Sequence, residues 1–335
     1  MKVIVPMAGR GSRLRPHTLT IPKPLVPVGG IPIVHRLVAD IARVCAEPID
    51  EIAFVVGEFG ADVENELLAV ATQLGAKGSI HYQLQALGTA HAVLCAKDAL
   101  DGPVVVAFAD TLFKADFKIS KEDEGILWVK QIDDPSAFGV VKLNENGQII
   151  DFIEKPQTFV SDLAMIGIYY FKDGQRLKQE LQYLIDNEIV KGGEYQLPDA
   201  LKRLTQDGVS FKPGTVEQWL DCGNKEVTVA TNQSVLEHDL EAGRLQRLSN
   251  DFIDSVVIEP CYIGPNVKIE RSIVGPHVSI GAGTTLSEVN IKNSIVGSTT
   301  KLSKIVLEGA MIGSNANYNG RSKDLSLGDY STINE

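Results

Sequence analysis

Continuous apolar runs alternate with stretches in which apolar residues return every third or fourth position, and the alternation begins at the first residue. Residues 3–5 read as a short buried strand, and Ile33, Leu37, Ile41 and Val44 recur at helical spacing. Residues 52–57 predict a second buried strand, 63–74 a second amphipathic helix and 80–83 a third strand. A third helix is expected over 88–97, then a fourth strand over 104–109 that ends on Asp110. Strands that are apolar on both faces, each followed by a helix, belong in a doubly wound α/β sheet covered on both sides. In such sheets ligands gather outside the carboxyl ends of the strands, where the loop after residue 5, Gln83 and Asp110 all fall.

Between 125 and 171 the pattern turns to strands without long helices: 125–131, 138–143, 149–154 and 164–171, with Asn146-Gly147 as a hairpin turn. These are expected to form a mixed β insertion laid over the ligand edge of the sheet. Helices follow over 174–187 and up to about 204, and a strand over 216–221 ends on Asp221. Past about 251 the rhythm changes. Ile263-Gly264, Val274-Gly275, Ile280-Gly281, Val296-Gly297, Ile312-Gly313 and Leu327-Gly328 repeat an aliphatic-glycine pair, and several aliphatic residues recur in steps of six, as from Ile263 to Ile269 and from Val274 to Ile280. That is the mark of a parallel β-helix of hexapeptide repeats, each step stacking one apolar residue inward. The division expected is a catalytic domain over 1–235, a linker over 236–251 and a β-helix over 252–335.

A chain of 335 residues exceeds the size at which one hydrophobic core keeps growing, which agrees with two domains. Without an apolar run of the ~20 residues a membrane helix needs, and with first residues that do not read as a leader peptide, a soluble and unexported protein is expected. Its four cysteines, Cys45, Cys95, Cys222 and Cys261, are scattered without C-x-x-C spacing, so reduced thiols in a cytoplasm are expected and a zinc site is not. Net charge is −11, yet residues 1–39 carry six Lys or Arg and no acid until Asp40. Such segregation against the global sign focuses a polyanionic ligand.

The basic segment has a definite form. Val3-Ile4-Val5-Pro6-Met7-Ala8-Gly9-Arg10-Gly11-Ser12-Arg13-Leu14-Arg15-Pro16 runs from strand into a glycine-bearing loop, and Pro22-Lys23-Pro24 follows. Backbone amides and side-chain cations can surround phosphate there. It is not a P-loop, because no G-x-x-x-x-G-K-[ST] exists, and Leu14 stands where the dinucleotide fingerprint needs its third glycine.

Gly9 to Pro16 followed by Pro22-Lys23-Pro24-Leu25 resembles the signature of the sugar-1-phosphate nucleotidylyltransferases, the nucleotide-sugar pyrophosphorylases, with Arg10 where the family usually has a second glycine. The resemblance implies a Rossmann-like, doubly wound mixed sheet followed by a left-handed parallel β-helix, with Mg²⁺ as cofactor. It also implies roles. Ala8, Gly9 and Gly11 hold the nucleotide; Arg13, whose guanidinium can bind phosphate bidentately, meets the leaving pyrophosphate; Lys23, set between prolines, balances charge on the α-phosphate. Asp110 and Asp221, each at a strand end, share the metal. Gln83, whose amide offers a donor and an acceptor to uracil or thymine, and Gly88, which admits close backbone approach, recognise the base. Gly139, Glu154, Lys155 and Gly167 form the sugar-phosphate side, with Tyr169 and Glu194 as further candidates, while His91 reads as a structural residue of its helix.

The expected reaction joins UTP or dTTP to a hexose 1-phosphate, glucose 1-phosphate first, and GTP with mannose 1-phosphate is the alternative within the class. Outside it stand a hexapeptide acyltransferase, for which His277 is the histidine of the repeat region, and a non-catalytic nucleotide-sugar-binding paralogue, against which Arg13, Lys23, Asp110 and Asp221 speak. The expected partners are the small-molecule substrates and further copies of the chain, with no nucleic acid and no membrane.

Overall fold

The computed structural model describes residues 1–9, 11–120, 122–245 and 251–321, so Arg10 and the Leu327-Gly328 pair lie outside the described residues. The chain divides into two compact units, Met1–Pro27 with Ile31–Asn224, and Val28–Gly30 with the chain from Lys225 onward.

The first unit is built on a nine-stranded sheet. Its parallel half runs Lys77–Tyr82, Glu51–Val56, Lys2–Pro6, Val104–Ala107, with Lys2 opposite both Glu51 and Val104. The helices between these strands follow the apolar periodicity. Ile33–Val44 buries Ile33, Val34, Leu37, Val38, Ile41 and Val44, and Ala61–Gln73 carries Asp62 and Glu64 in its first turn, where they favour the helix dipole. Beyond Val104–Ala107 the same sheet continues through Leu163–Phe171, Gly125–Gln131, Phe211–Thr215, Ile149–Glu154 and Gly139–Leu143. The strands between 125 and 171 are therefore not an insertion over the ligand edge. They extend the sheet, with Leu163–Phe171 antiparallel to both neighbours. The reason is burial: Leu127, Trp128, Val129 and Ile168 are fully covered, which demands sheet neighbours and helices rather than a solvated flap. Phe211–Thr215, which carries Pro213 and Gly214 and gave no strand signal, pairs in parallel with Gly125–Gln131.

A second correction concerns the acids. Thr111–Lys114 and Gln218–Asp221 form a separate antiparallel ribbon, with Asp221 opposite Thr111 and the Cys222 amide donating to the Asp110 carbonyl at 3.1 Å. Asp110 and Asp221 are thus brought together at one end of a two-stranded ribbon, and not by two strands of the main sheet.

The second unit is a parallel β-helix joined by the helix Lys225–Glu241. That helix runs through residue 235, where a domain end was expected, and fills part of the expected linker. Every described strand pair of the β-helix is parallel, with registers such as Cys261 to Val278, Val278 to Ser294 and Ile295 to Met311. One coil is 16 or 17 residues, shorter than three full hexapeptides. Corners are turned by left-handed residues that stack in rows, among them Asp254, Arg271, Glu288 and Lys304. The aliphatic-glycine pairs have a steric cause. Ile263, Ile280, Val296 and Ile312 align coil over coil, and a Cβ on Gly281 or Gly297 would lie 2.5 or 2.4 Å from the next coil's backbone nitrogen. Asn232, fully buried on the helix, accepts from the Gly29 amide at 2.8 Å and the Ser279 hydroxyl at 2.7 Å. No described helix is long and apolar enough to cross a membrane.

Candidate active site

The strand Lys2–Pro6 delivers the chain to its carboxyl edge, where the Met7 amide donates to Val55 and the backbone then leaves the sheet. Gly11 sits at φ 59°, a conformation costly for any residue with a Cβ, and a Cβ there would lie 2.8 Å from that of Lys23. This close approach joins the glycine loop to the Pro22-Lys23-Pro24 turn. Thr18 reinforces it by donating its hydroxyl to the Gly11 carbonyl at 2.7 Å. Leu14, one of the most deeply buried side chains, anchors the short 3-10 turn Ser12–Leu14, and its burial contributes about 1.5–3 kcal/mol. With Leu14 turned inward, its neighbour Arg13 is exposed. Gly9 has open space where a side chain would be, so a ligand can meet its backbone.

Lys23 is only 7% exposed, and its ammonium bonds Asp110 Oδ2 at 3.2 Å. Asp221 is partly buried; its carboxyl is pushed above the usual range first by that burial and then by the Asp110 charge, while Lys23, the Gly223 amide and Arg13 oppose the rise. Two hard carboxylates side by side, of which Asp110 makes the charged form of Asp221 costlier, fit an oxygen-ligated divalent cation such as Mg²⁺ beside phosphate oxygens. Pro6, Met7, Gly9, Gly11, Ser12, Arg13, Lys23, Pro24, Phe108, Ala109, Asp110 and Gly223 line one cavity of about 300 Å³.

The base-side candidates form their own cluster. Gln83 follows the strand Lys77–Tyr82, and its Nε2 donates to the Gly88 carbonyl at 3.1 Å and lies 3.2 Å from His91 Nδ1. Gly88 has φ 112°, and a Cβ there would strike the Tyr195 carbonyl at 2.4 Å. The space that Gly88 leaves is filled by the chain's own segment around Tyr195, whose amide donates to Leu87 and whose carbonyl accepts from Ala90. Gly88 is thus required at this position by the close approach of the chain's own segment.

On the sugar side Gly139 and Glu154 are opposite in register, and a Cβ on Gly139 would lie 2.4 Å from Met165 Cε and 2.7 Å from Glu154 Oε2. Lys155 holds a left-handed φ of 43°, a conformation that non-glycine residues adopt at a cost and that clusters at functional sites. Gly167, at φ 83°, accepts from the Phe108 amide at 3.0 Å beside a bulge in the strand. Tyr169 stacks edge-on against Phe108 at 6.3 Å, and its hydroxyl is pushed well above the ordinary tyrosine range by burial and by the charges of Glu154 and Asp110. Glu154 and Asp110 thus both lie within electrostatic reach of this one buried phenol. Glu194 is exposed and bridges Lys191 through backbone bonds.

Of the residues expected from the sequence, Gly9, Gly11, Arg13, Lys23 and Asp110 line the cavity and Asp221 adjoins Asp110. Ala8 sits in the same loop between two lining residues. Gln83, Gly88, Gly139, Glu154, Lys155 and Gly167 are outside its lining. Phe108 was not expected, nor was the pair of Phe138 and Trp219, whose rings stand 4.7 Å apart. An aromatic two residues before each aspartate, Phe108 and Trp219, was the available signal.

Residues 2–238 match the family model described as nucleotidyl transferase. The chain belongs to that family. A low-salt glycan biosynthesis nucleotidyltransferase of Haloferax volcanii is 29% identical over 343 residues, covering 95% of this chain and 93% of the relative. A glucose-1-phosphate thymidylyltransferase of Streptomyces antibioticus is 27% identical, covering 94% and 92%. Among solved structures, a nucleoside-diphosphate-sugar pyrophosphorylase of Vibrio cholerae shares the fold with TM-score 0.59 at 22% identity, over 69% of this chain and 99% of its own. A UDP-glucose pyrophosphorylase complexed with UDP-glucose gives 0.58 at 24%, over 71% and 98%. This member of the nucleotidyl transferase family is an NTP:sugar-1-phosphate nucleotidyltransferase.

Proposed function

We propose that the enzyme transfers a uridylyl or thymidylyl group from UTP or dTTP to glucose 1-phosphate, with Mg²⁺ as cofactor and release of pyrophosphate. The observation that carries this reading is the single cavity that gathers Gly9, Gly11, Arg13, Lys23 and Asp110, with Asp221 beside it. A phosphate oxygen of the sugar attacks the α-phosphorus, forming one P–O bond as the bond to the departing pyrophosphate breaks and its electron pair leaves with the pyrophosphate. No proton transfer and no covalent nucleophile are needed, so the protein's contribution is placement and neutralisation. Gly9 and Gly11 bring backbone close to the phosphates, Lys23 balances charge on the α-phosphate, and Arg13 meets the leaving group. Asp110 and Asp221 would hold Mg²⁺, which supplies charge neutralisation to the phosphate oxygens. Glu154 takes sugar hydroxyls and Lys155 the sugar's phosphate.

The base and sugar draw support from the relatives' printed names, which include glucose-1-phosphate thymidylyltransferases. His277, the histidine on which an acyltransferase would depend, already has Glu237 at 3.0 Å on one ring nitrogen and Asn293 at 3.2 Å on the other. We assign the β-helix to assembly of further copies of the chain. Val256, Ile273 and Val306 follow one register row and are 57%, 45% and 76% exposed. The neighbouring corner alternates in sign through Asp254, Arg271, Glu288 and Lys304, a row that sets opposite charges against each other when reversed. Light scattering should give an oligomer at micromolar concentration, and a strict monomer would contradict this. The free cysteines suit a reducing cytoplasm.

Pyrophosphate release with Mg²⁺, measured for UTP, dTTP, GTP, CTP and ATP against glucose, galactose, mannose and glucosamine 1-phosphates, tests the reaction. Release that requires both partners and is fastest with UTP or dTTP and glucose 1-phosphate is expected. GTP with mannose 1-phosphate as the best pair would replace the substrate assignment, and silence throughout from folded protein would defeat the reading.

A further inference from the structure

The Gln83 amide is the group whose chemistry the fold changes most. A primary amide has two N–H bonds and one carbonyl oxygen. In this structure the Gln83 Nε2 lies 3.1 Å from the Gly88 carbonyl and 3.2 Å from His91 Nδ1. A backbone carbonyl can only accept, so the amide atom beside it is the NH₂, which fixes the orientation of the side chain. Both N–H bonds are then used inside the protein. To accept the second one His91 is a neutral imidazole with its proton on Nε2; the Cys95 sulfur stands 4.0 Å from both ring nitrogens. Burial holds the His91 pKa below its ordinary 6.5, which keeps that form at neutral pH.

We propose that His91 is a specificity-positioning residue: together with the Gly88 carbonyl it takes both N–H bonds of Gln83, so that the amide presents only its oxygen to the nucleobase. This rests on the reading of Gln83 as the base-recognition residue, and it alters that reading. The sequence suggested a group with a donor and an acceptor; the structure leaves an acceptor alone. An acceptor pairs with a ring N–H, which uracil and thymine carry at N3 and guanine at N1. Cytosine and adenine have unprotonated ring nitrogens at the matching positions, and lone pair would face lone pair. The selected class is bases with a ring N–H, and the rejected class is bases without one. A site whose buried polar group is left facing another acceptor discriminates strongly, because neither group can recover the hydrogen bond it had in water.

The experiment compares kcat/KM for UTP, dTTP and GTP with that for CTP, at saturating glucose 1-phosphate and Mg²⁺, in the wild type, His91→Phe and His91→Asn. Phe keeps bulk but removes the acceptor; Asn returns an oxygen near the Nδ1 position. The wild type should favour UTP over CTP by at least about 100-fold. His91→Phe frees the amide to turn, and the ratio should fall about tenfold or more while KM for glucose 1-phosphate stays within about twofold. His91→Asn should restore most of the ratio. A residue that merely supports the helix would lower activity with every nucleotide alike. An unchanged ratio in folded His91→Phe, or a wild type that prefers CTP, overturns the proposal. If the wild type turns over no nucleotide at all, calorimetric binding of UTP and CTP decides it: selective UTP binding that weakens in His91→Phe supports His91 while the reaction fails, and equal binding of the two nucleotides defeats the role.

Discussion

Lys23 shows how much one side chain depends on its surroundings. The residue stands between two prolines in the chain, is almost fully covered, and bonds Asp110 through its ammonium at 3.2 Å. Covering a cation lowers the dielectric around it and strengthens its pull on charge that develops during the reaction. Lys23→Gln, which keeps length and polarity, should lower kcat about 100- to 1000-fold with an unchanged circular dichroism spectrum. Loss confined to KM would show a binding role alone. The thiols make the opposite prediction of inertness. Burial pushes Cys45 up to about 11 and Cys261 up to about 12, so at pH 8 both stay as neutral thiols and lack the thiolate that disulfide reagents need. Native protein at pH 8 should leave both unmodified for hours, while denatured protein releases all four thiols. Rapid labelling of either in the native state would contradict the burial. At this scale the placing of Arg13 and Lys23 at one cavity was legible because positive charge stands out against an acidic chain, and that of Asp110 because it ends an apolar strand. The contact of Gly88 with Tyr195 was not, because Tyr195 is remote in sequence, and neither were the partners of the Gln83 amide, because the fold decides which atoms face it.

At the scale of elements, strand and helix identities followed from periodicity, and Ile33–Val44 agrees at both ends. What periodicity could not say is which strand pairs with which. The strands from Gly125 to Phe171 are as apolar as the parallel strands, and only their register shows that they extend the same sheet. The ribbon that joins Asp110 to Asp221 was equally hidden, since its two strands are four residues each and far apart in the chain. The β-helix was legible in its aliphatic-glycine pairs but its steps of six do not run unbroken, because a coil of 16 or 17 residues cannot hold three full steps. Its steric logic is testable. Gly281→Val places a Cβ 2.5 Å from the backbone nitrogen of Ser298, and such overpacking costs about 1–3 kcal/mol or more. The variant should melt several degrees lower in a thermal scan followed by far-ultraviolet circular dichroism, and a transition identical to wild type would show that the coils do not stack so closely.

For the whole molecule, the decisive feature is one basic enclave in a chain of net charge −11. In the proposed reaction the enclave draws a polyphosphate to the carboxyl edge of the sheet, where Asp110 and Asp221 would hold a divalent cation. The central claim is that this cavity, and not any part of the β-helix, performs the transfer. Asp110→Asn tests it most directly, since it keeps size and hydrogen bonding but removes the charge shared by Lys23, Tyr169 and Asp221. Pyrophosphate release from UTP or dTTP with glucose 1-phosphate and Mg²⁺ should fall at least about 1000-fold in the folded variant. Release at the wild-type rate with the same Mg²⁺ dependence would place the reaction elsewhere.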